Sequence, residues 1–363
     1  MFKSVLSRKK INKLIPFFMA GLIAVSNLSG CAKKDEEPTQ IVLTTDFSED
    51  EIFRIDNLNC TVPEANIYMY TAEDQYTDVF GKEIWNTDIR GSMLLDELKD
   101  VTLARLAQIK AMALLAASRS VELDEEETAK VHEAAQKYIA GLDPMCIAKL
   151  AISEEKVEQM YRDYALADKV YDSITANVNP EISDDEARTI KVKHILIKTY
   201  ESDEEGNKTI FGTDRRNAAF EKAVAIRKEA VAEGADFEAL IDKYSEDTTA
   251  EYVFGKGTMP EKFEEAAFQL GTDEISDVVQ TDYGFHIIKC ISTFDRDETD
   301  ANKQRILKQR KKEAFNATYE EFIKTLHSNL NNKLWDSLDF SIDDEIKTTN
   351  FFDVYNEVFN AAG

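Results

Sequence analysis

Two short runs alternate with a period of two. In Val192-Lys193-His194-Ile195-Leu196-Ile197, residues Val192, His194 and Leu196 fall on one face, and Lys193, Ile195 and Ile197 on the other. His286 opens a second run, Ile287, Ile288, Cys290 and Ile291, which is too short for a helix and rich in β-branched side chains. Between these two strands the pattern predicts a hairpin-like acidic loop over residues 201–214, a helix running to Gly234, a short helix from Phe237 to Tyr244, and a third begun by Pro260 and stopped before Gly271. Two of the chain's four histidines lie in the strands. Periodicity alone favours a pair of core histidines over a site.

Helical spacing dominates the rest. Residues 94–119 carry Val101, Leu103, Ala104, Leu106, Ile109, Met112, Leu114 and Leu115 on nearly all sides, the pattern of a buried helix; Arg105 and Lys110 argue against a membrane span. Pro63-Glu64 opens a helix before it. Asp124 with Glu127 forms a capping box for a helix that ends near Gly141. Residues 153–177 place Val157, Met160, Tyr164, Ala167, Tyr171 and Ile174 at steps of three or four; such an aromatic stripe suits core packing better than a binding groove. Pro180 ends that helix, and Ser183 with Glu186 caps a short one. Residues 300–334 read as one long charged helix with a single apolar stripe, Phe315, Tyr319, Phe322, Leu326, Leu330 and Leu334. Phe351, Phe352, Tyr355 and Phe359 suggest a last helix that docks by its aromatics. Residues 41–44 suggest a short strand, and 51–63 are ambiguous.

Charge changes the picture at one end. The chain has 363 residues, room for two or three domains, with 69 acidic against 44 basic side chains. That surplus excludes a nucleic-acid binder, which needs a basic footprint. The first thirty residues hold Lys3, Arg8, Lys9, Lys10 and Lys13 and no acid; without them 39 basic residues face 69 acidic ones, a net charge of −30. Leu14 to Ala32 is uncharged, so this stretch reads as an export signal. Leu28-Ser29-Gly30-Cys31 resembles a bacterial lipobox, which implies cleavage before Cys31 and lipid on its thiol. An uncleaved anchor is the alternative, weakened by Pro16, Asn27, Ser29 and Gly30. Both place the mature chain outside the cytoplasmic membrane. Residues 32–40 are a polar tether. Cys60, Cys146 and Cys290 form no disulfide framework or zinc spacing; a Cys60–Cys146 bridge is compatible with the sequence and not demanded by it.

Four segments in order, VKHILI, KYSED, FGKGTMPEKFEEAAF and TDYGFHIIK, resemble the signature of the parvulin peptidyl-prolyl isomerases over residues 190–294. The resemblance implies an α+β fold: a parvulin-like domain, a small antiparallel sheet with surrounding helices, inserted in a mostly α-helical chaperone-like lobe built from both ends of the chain. The layout resembles the PrsA-type foldase lipoproteins and, more loosely, the SurA-type chaperones. The expected organisation is a signal peptide at 1–30, a tether at 31–40, an N-terminal lobe at 41–189, the isomerase domain at 190–294 and C-terminal helices at 295–363.

The same resemblance assigns roles. His194 and His286 match the family's paired histidines, Thr281 the hydroxyl bonded within that pair, and Asp247 the position held by cysteine or aspartate. Met259 and Phe263, four apart at a helix start, match the proline-ring pocket and Phe254 its rim. No metal or cofactor is implied, because rotation of an Xaa-Pro bond needs only an apolar pocket and a site that favours the twisted amide. The implied partners are unfolded or partly folded exported polypeptides with Xaa-Pro bonds, and the membrane through lipid on Cys31. Arg215 and Arg216 lie among acids, which argues against phospho-specificity. One departure matters: residues 248–253 form a shorter loop than the family's, with Glu251 near an expected leucine, which predicts a more open and acidic cleft. A holdase chaperone with a degenerate insert is therefore the alternative. A metal site of His194, His286 and Asp247 lacks close ligand spacing and ranks last.

Overall fold

The computed structural model describes residues 47–89, 92–203, 207–340 and 348–360. The export signal, Cys31, the tether and the expected strand at 41–44 lie outside the described residues. Contacts divide the chain into two compact units, one holding described residues up to 177 and from 312 on, the other residues 178–311.

The first unit begins with a hairpin of β1 (Glu51–Ile55) and β2 (Leu58–Thr61), which resolves the ambiguous stretch. Thr61 then caps α1 (Val62–Phe80), where the Glu64 carboxylate accepts the Thr61 N–H at 2.8 Å and its hydroxyl at 2.9 Å. After a 3₁₀ turn and a two-strand ladder of β3 (Asp88–Ile89) and β4 (Ser92–Met93) come α2 (Leu94–Ser118), α3 (Glu125–Ala140), α4 (Pro144–Leu150) and α5 (Glu154–Thr175). The Asp124–Glu127 capping box is present in full. Helix α2 is apolar and long enough to cross a membrane by length and composition. It is not buried all round: Val101 is 60% exposed. Its far side instead buries Lys110, whose ammonium lies 2.6 Å from Glu64 and 2.7 Å from Asp163, with Lys156 3.6 Å from Glu64. Burial alone would depress the Lys110 pKa, but the two carboxylates outweigh it and hold it above its usual value.

The second unit starts with the short α6 (Asp184–Ala187), where the Ser183 hydroxyl accepts the Glu186 N–H, and continues into β5 (Thr189–Lys198). The acidic loop is a hairpin, β6 (Tyr200–Ser202) and β7 (Lys208–Ile210). Then follow α7 (Thr213–Ala230), α8 (Phe237–Tyr244), β8 (Glu251–Gly255), α9 (Glu261–Gln269), β9 (Val279–Thr281) and β10 (Gly284–Ser292). Strands β8 and β9, absent from the sequence reading, complete an antiparallel sheet in the order β8-β5-β10-β9. Alternation splits this sheet as the sequence predicts. Ile195, Ile197, Phe285 and Ile287 pack with Ala223, Ile226, Phe237 and Leu240 of α7 and α8; Ile190, Val192, Ile288 and Cys290 pack with Phe254 and Phe263 on the other side. Gly284 is required where β10 begins: its φ is +141°, and a Cβ there would sit 2.1 Å from the Ile197 carbonyl oxygen.

The long helix expected over 300–334 is shorter. Helix α10 (Arg296–Ile323) stops in a turn, and residues beyond it form β11 (Ser328–Leu330), which pairs with β1 in the three-stranded order β11-β1-β2. Phe315 and Tyr319 do pack as a helical stripe, against Met112, Leu115 and Val170. Leu330 instead lies in the strand, and Leu334 in α11 (Asn332–Ser337). The final helix, α12 (Phe351–Phe359), docks by aromatics: Phe351 stacks on Tyr161 at 4.1 Å, and the Tyr161 hydroxyl donates to the Phe351 carbonyl at 2.9 Å. Cys60, Cys146 and Cys290 are buried and form no disulfide with one another.

Lys110 supplies the first test. Removing it leaves two buried carboxylates short of a counter-charge, so Lys110→Met should lower stability by about 3–5 kcal/mol. Urea unfolding followed by tryptophan fluorescence reads this unit, since both tryptophans, Trp85 and Trp335, are in it and buried. Replacing Glu64 and Asp163 by Gln and Asn in the same chain should recover part of the loss.

Candidate active site

The site grows from the pairing of β5 with β10. Their register sets His194 opposite Ile288 and His286 opposite Leu196, so the two histidines are diagonal neighbours on one face. Their rings lie 5.4 Å apart and nearly parallel, with Nδ1 3.2 Å from Nδ1. Both are buried. The Thr281 hydroxyl, one strand over on β9, is 2.8 Å from His286 Nε2, and the Tyr283 N–H donates to the same hydroxyl at 3.1 Å. At the other end, His194 Nε2 lies 3.1 Å from the Thr249 carbonyl and 3.3 Å from Asp247 Oδ2.

These partners assign the tautomers. His194 Nε2 faces two acceptors and must carry its hydrogen. Its Nδ1 then accepts from His286 Nδ1–H, and His286 Nε2 accepts from Thr281. One directed chain runs from the Tyr283 amide through Thr281, His286 and His194 to Asp247. It works only with both rings neutral: a second proton on His194 would set two donors against each other at the Nδ1 contact, and one on His286 would take the Nε2 lone pair that accepts from Thr281. Burial, and then the neighbouring His194, push the His286 pKa down to about 3. Burial lowers that of His194 too, against the opposing pull of Thr249 and Asp247. The His194–Asp247 contact is therefore a hydrogen bond donated by a neutral imidazole to the carboxylate rather than an ion pair.

Asp247 follows α8 and is held by its own loop. The Ser245 hydroxyl accepts the Leu196 N–H at 3.2 Å, and the Glu246 N–H donates to the Leu196 carbonyl at 2.8 Å, which staples the loop to β5. Asp247 Oδ1 then accepts the Thr249 N–H at 3.2 Å.

A cavity of about 520 Å³ opens over these groups, within the range of small-ligand sites. Its wall includes His194, Leu196, Asp247, Met259, Phe263 and His286. Phe263 stands edge-on to both imidazoles, 5.6 Å from His194 and 5.1 Å from His286. Met259 is not on the helix, which starts at Glu261; it lies in the preceding turn, where the Glu264 carboxylate accepts the Gly257 N–H at 2.8 Å and the Thr258 N–H at 3.2 Å. Thr281 lies behind His286 rather than in the wall. Phe254 does not line the cavity either: it is 6% exposed and packs behind Phe263, at 6.0 Å, and against Phe268. The cleft is not more acidic at Glu251, whose carboxylate turns away to Lys191 at 2.7 Å and Lys193 at 3.7 Å. Tyr252, Lys198, Tyr200 and Tyr283 also line the cavity and were not singled out from the sequence. Arg215 is exposed, ion-paired with Glu201 and set over the Phe211 ring.

With this geometry in view, comparison with known proteins is specific. The PPIC-type PPIase domain family matches residues 194–292. A protein named Pin1, a peptidyl-prolyl cis-trans isomerase of Arabidopsis thaliana, is 39% identical over 112 residues, 28% of this chain and 92% of its own. A foldase protein PrsA of Caldanaerobacter subterraneus subsp. tengcongensis is 24% identical over 325 residues, 86% of this chain and 95% of its own. The crystal structure of a peptidylprolyl isomerase (PrsA) from Bacillus cereus is 21% identical, with a TM-score of 0.38 over 75% of this chain and 95% of that one.

The neutral imidazole pair is testable by its titration. In long-range ¹H–¹⁵N spectra the ring nitrogens of His286 should show no protonation between pH 8 and pH 5, and His194 should protonate only below the ordinary histidine value. His132, half-exposed and raised by its bond to Glu158, should titrate above the ordinary histidine value. The sign follows from linkage: an unfolded chain takes up protons on these two rings near pH 6.5, where the folded chain does not. Stability should therefore fall as pH drops below about 6.5 and go on falling toward the folded His286 value.

Proposed function

Because the chain belongs to the PPIC-type peptidyl-prolyl isomerase family, the parvulins, we propose that it works as a foldase that rotates Xaa-Pro bonds in exported polypeptides from a lipid anchor outside the cytoplasmic membrane. The enzyme is a peptidyl-prolyl cis-trans isomerase. The observation that supports the assignment of its site is the directed chain from Thr281 through His286 and His194 to Asp247, whose two imidazoles and carboxylate face a cavity shared with Met259 and Phe263.

The chemistry needs no covalent step. An amide resists rotation by roughly 18–20 kcal/mol because the nitrogen lone pair is delocalised into the carbonyl. Twisting removes that delocalisation, so the carbonyl oxygen loses negative charge and the nitrogen becomes a better acceptor. Phe263 and Met259 hold the proline ring and leave the preceding carbonyl free to turn. The negative charge of Asp247, in the cavity wall, is inferred to disfavour the planar, charge-separated amide more than the twisted one, which lowers the barrier. The imidazole pair fixes that carboxylate without bringing a charge of its own.

Anchoring rests on the basic cluster, the uncharged run and the Cys31 motif of the first 32 residues. Substrates without phosphate are supported by the acids around the hairpin and by Arg215, which is already paired with Glu201.

The test is cis/trans exchange in a panel of Xaa-Pro peptides, by NMR, with the full-length chain in catalytic amounts. Acceleration should fall by about tenfold or more in His286→Ala and Asp247→Ala, the scale of a lost group acting in the transition state. Glu-Pro and phosphoserine-Pro peptides should be handled alike. A folded chain that leaves every peptide unaccelerated would make it a holding chaperone.

A further inference from the structure

Tyr252 stands in the segment 248–253, where the sequence predicts an open cleft. The register of β8 on β5 sets Tyr252 opposite Val192 and Phe254 opposite Ile190. Alternation therefore turns Tyr252 and Phe254 toward the face that carries His194, and Glu251 and Val253 away from it. Glu251 goes to its two lysines, and Val253 is exposed. The Tyr252 ring lies 5.2 Å from the His194 ring, tilted by 55°, and packs against the cluster that holds Met259 and Phe263. It is half-buried and lines the cavity. Its hydroxyl donates to Asp247 Oδ2 at 3.1 Å.

The Asp247 carboxylate is thus gripped from three directions. Oδ1 takes the Thr249 amide; Oδ2 takes the Tyr252 hydroxyl and meets His194 Nε2, whose one hydrogen is shared with the Thr249 carbonyl. Among the described residues, the phenol is the donor whose hydrogen goes wholly to Oδ2. Burial first, and then the charge of Asp247, keep the phenol protonated and able to donate. Its ring closes the side of the cavity that a short loop with Glu251 turned outward would leave open.

We propose that Tyr252 has two roles in this enzyme: its hydroxyl positions Asp247, and its ring forms a third wall of the proline subsite beside Met259 and Phe263. The proposal rests on the isomerase reading above. The two roles separate kinetically. A hydrogen bond to a charged group that is held ready for the transition state affects kcat, whereas a ring that contacts substrate in ground and transition states alike affects KM.

The experiment compares full-length Tyr252→Phe and Tyr252→Leu with the parent, reading kcat and KM for Xaa-Pro exchange by NMR titration and peptide Kd by shift perturbation. Tyr252→Phe should lose about tenfold in kcat, the scale of one hydrogen bond to a charge, with KM within about twofold. Tyr252→Leu should show the same loss in kcat and, in addition, KM and Kd raised by about threefold or more as an aromatic wall is removed. Parent-like kcat in the Phe variant, or KM and Kd in the Leu variant equal to those of the Phe variant, would overturn it. So would a Phe variant that loses its dispersed amide spectrum, because the hydroxyl would then be a structural tie. If the parent binds peptides without accelerating exchange, the isomerase reading fails by itself, and the Kd values of the two variants still decide the ring wall.

Discussion

Everything in the site depends on the register of one antiparallel strand pair. A β-sheet side chain changes face with every residue, so a slip of one position between β5 and β10 would separate the two histidines. The register is held from both sides. Ile195, Ile197 and Ile287 are buried under α7 and α8, and Val192, Ile288 and Cys290 under α9. Gly284 fixes the end of the ladder, since no side chain fits against the Ile197 carbonyl. The imidazole contact thus follows from hydrophobic packing, with no need for the histidines to find each other. Asp247 and Tyr252 reach the site through the same strand: the first by a loop stapled to Leu196, the second by pairing opposite Val192.

The two units bury polar groups by opposite means. Lys110, Glu64 and Asp163 keep their charges and offset the loss of solvent by mutual attraction at 2.6–2.7 Å. His194 and His286 avoid the cost by remaining neutral and passing one line of hydrogen bonds between them. The first arrangement stabilises helices α1, α2 and α5 against one another. The second leaves Asp247 as the charge held against the imidazole pair, which suits a reaction whose transition state differs from its ground state in dipole and not in proton count.

What the sequence shows of this and what it hides follows from range. Period-two alternation and helix caps are local, so β5, β10, Ser183 and the Asp124–Glu127 box are legible. His194, His286, Asp247, Met259 and Phe263 were found because four motifs occur in order, and they do meet. The misreadings are non-local. Leu326, Leu330 and Leu334 continue a helical spacing from Phe315, yet Leu330 is drawn into a strand by β1, far away in sequence. Strands β8 and β9 are short, and their pairing with β5 and β10 is what makes them strands. Phe254 matched a rim position, but Phe263 and Phe268 close over it. Tyr252 carried no local signal, because its significance lies in the partner its hydroxyl reaches. Lys110 looked like an ordinary charge on an apolar helix until two carboxylates, one from each neighbouring helix, came into view.

Among the described residues the three cysteines are buried, which shapes how the protein meets oxidants. Cys60, Cys146 and Cys290 are each at most 2% exposed, and burial raises the pKa of Cys60 and Cys290, so in the folded chain these two are scarcely thiolate. Small oxidants and disulfide exchange both require the thiolate and an approach to sulfur. In an oxidising compartment, burial and a raised pKa slow the oxidation of Cys60 and Cys290 for as long as the chain stays folded. Each opening of the structure places a reactive sulfur in solvent, two of them in the helical unit and one in the catalytic unit. Redox damage therefore falls on molecules that have already begun to unfold, and it is a ratchet: a sulfur oxidised while open no longer fits the space it left.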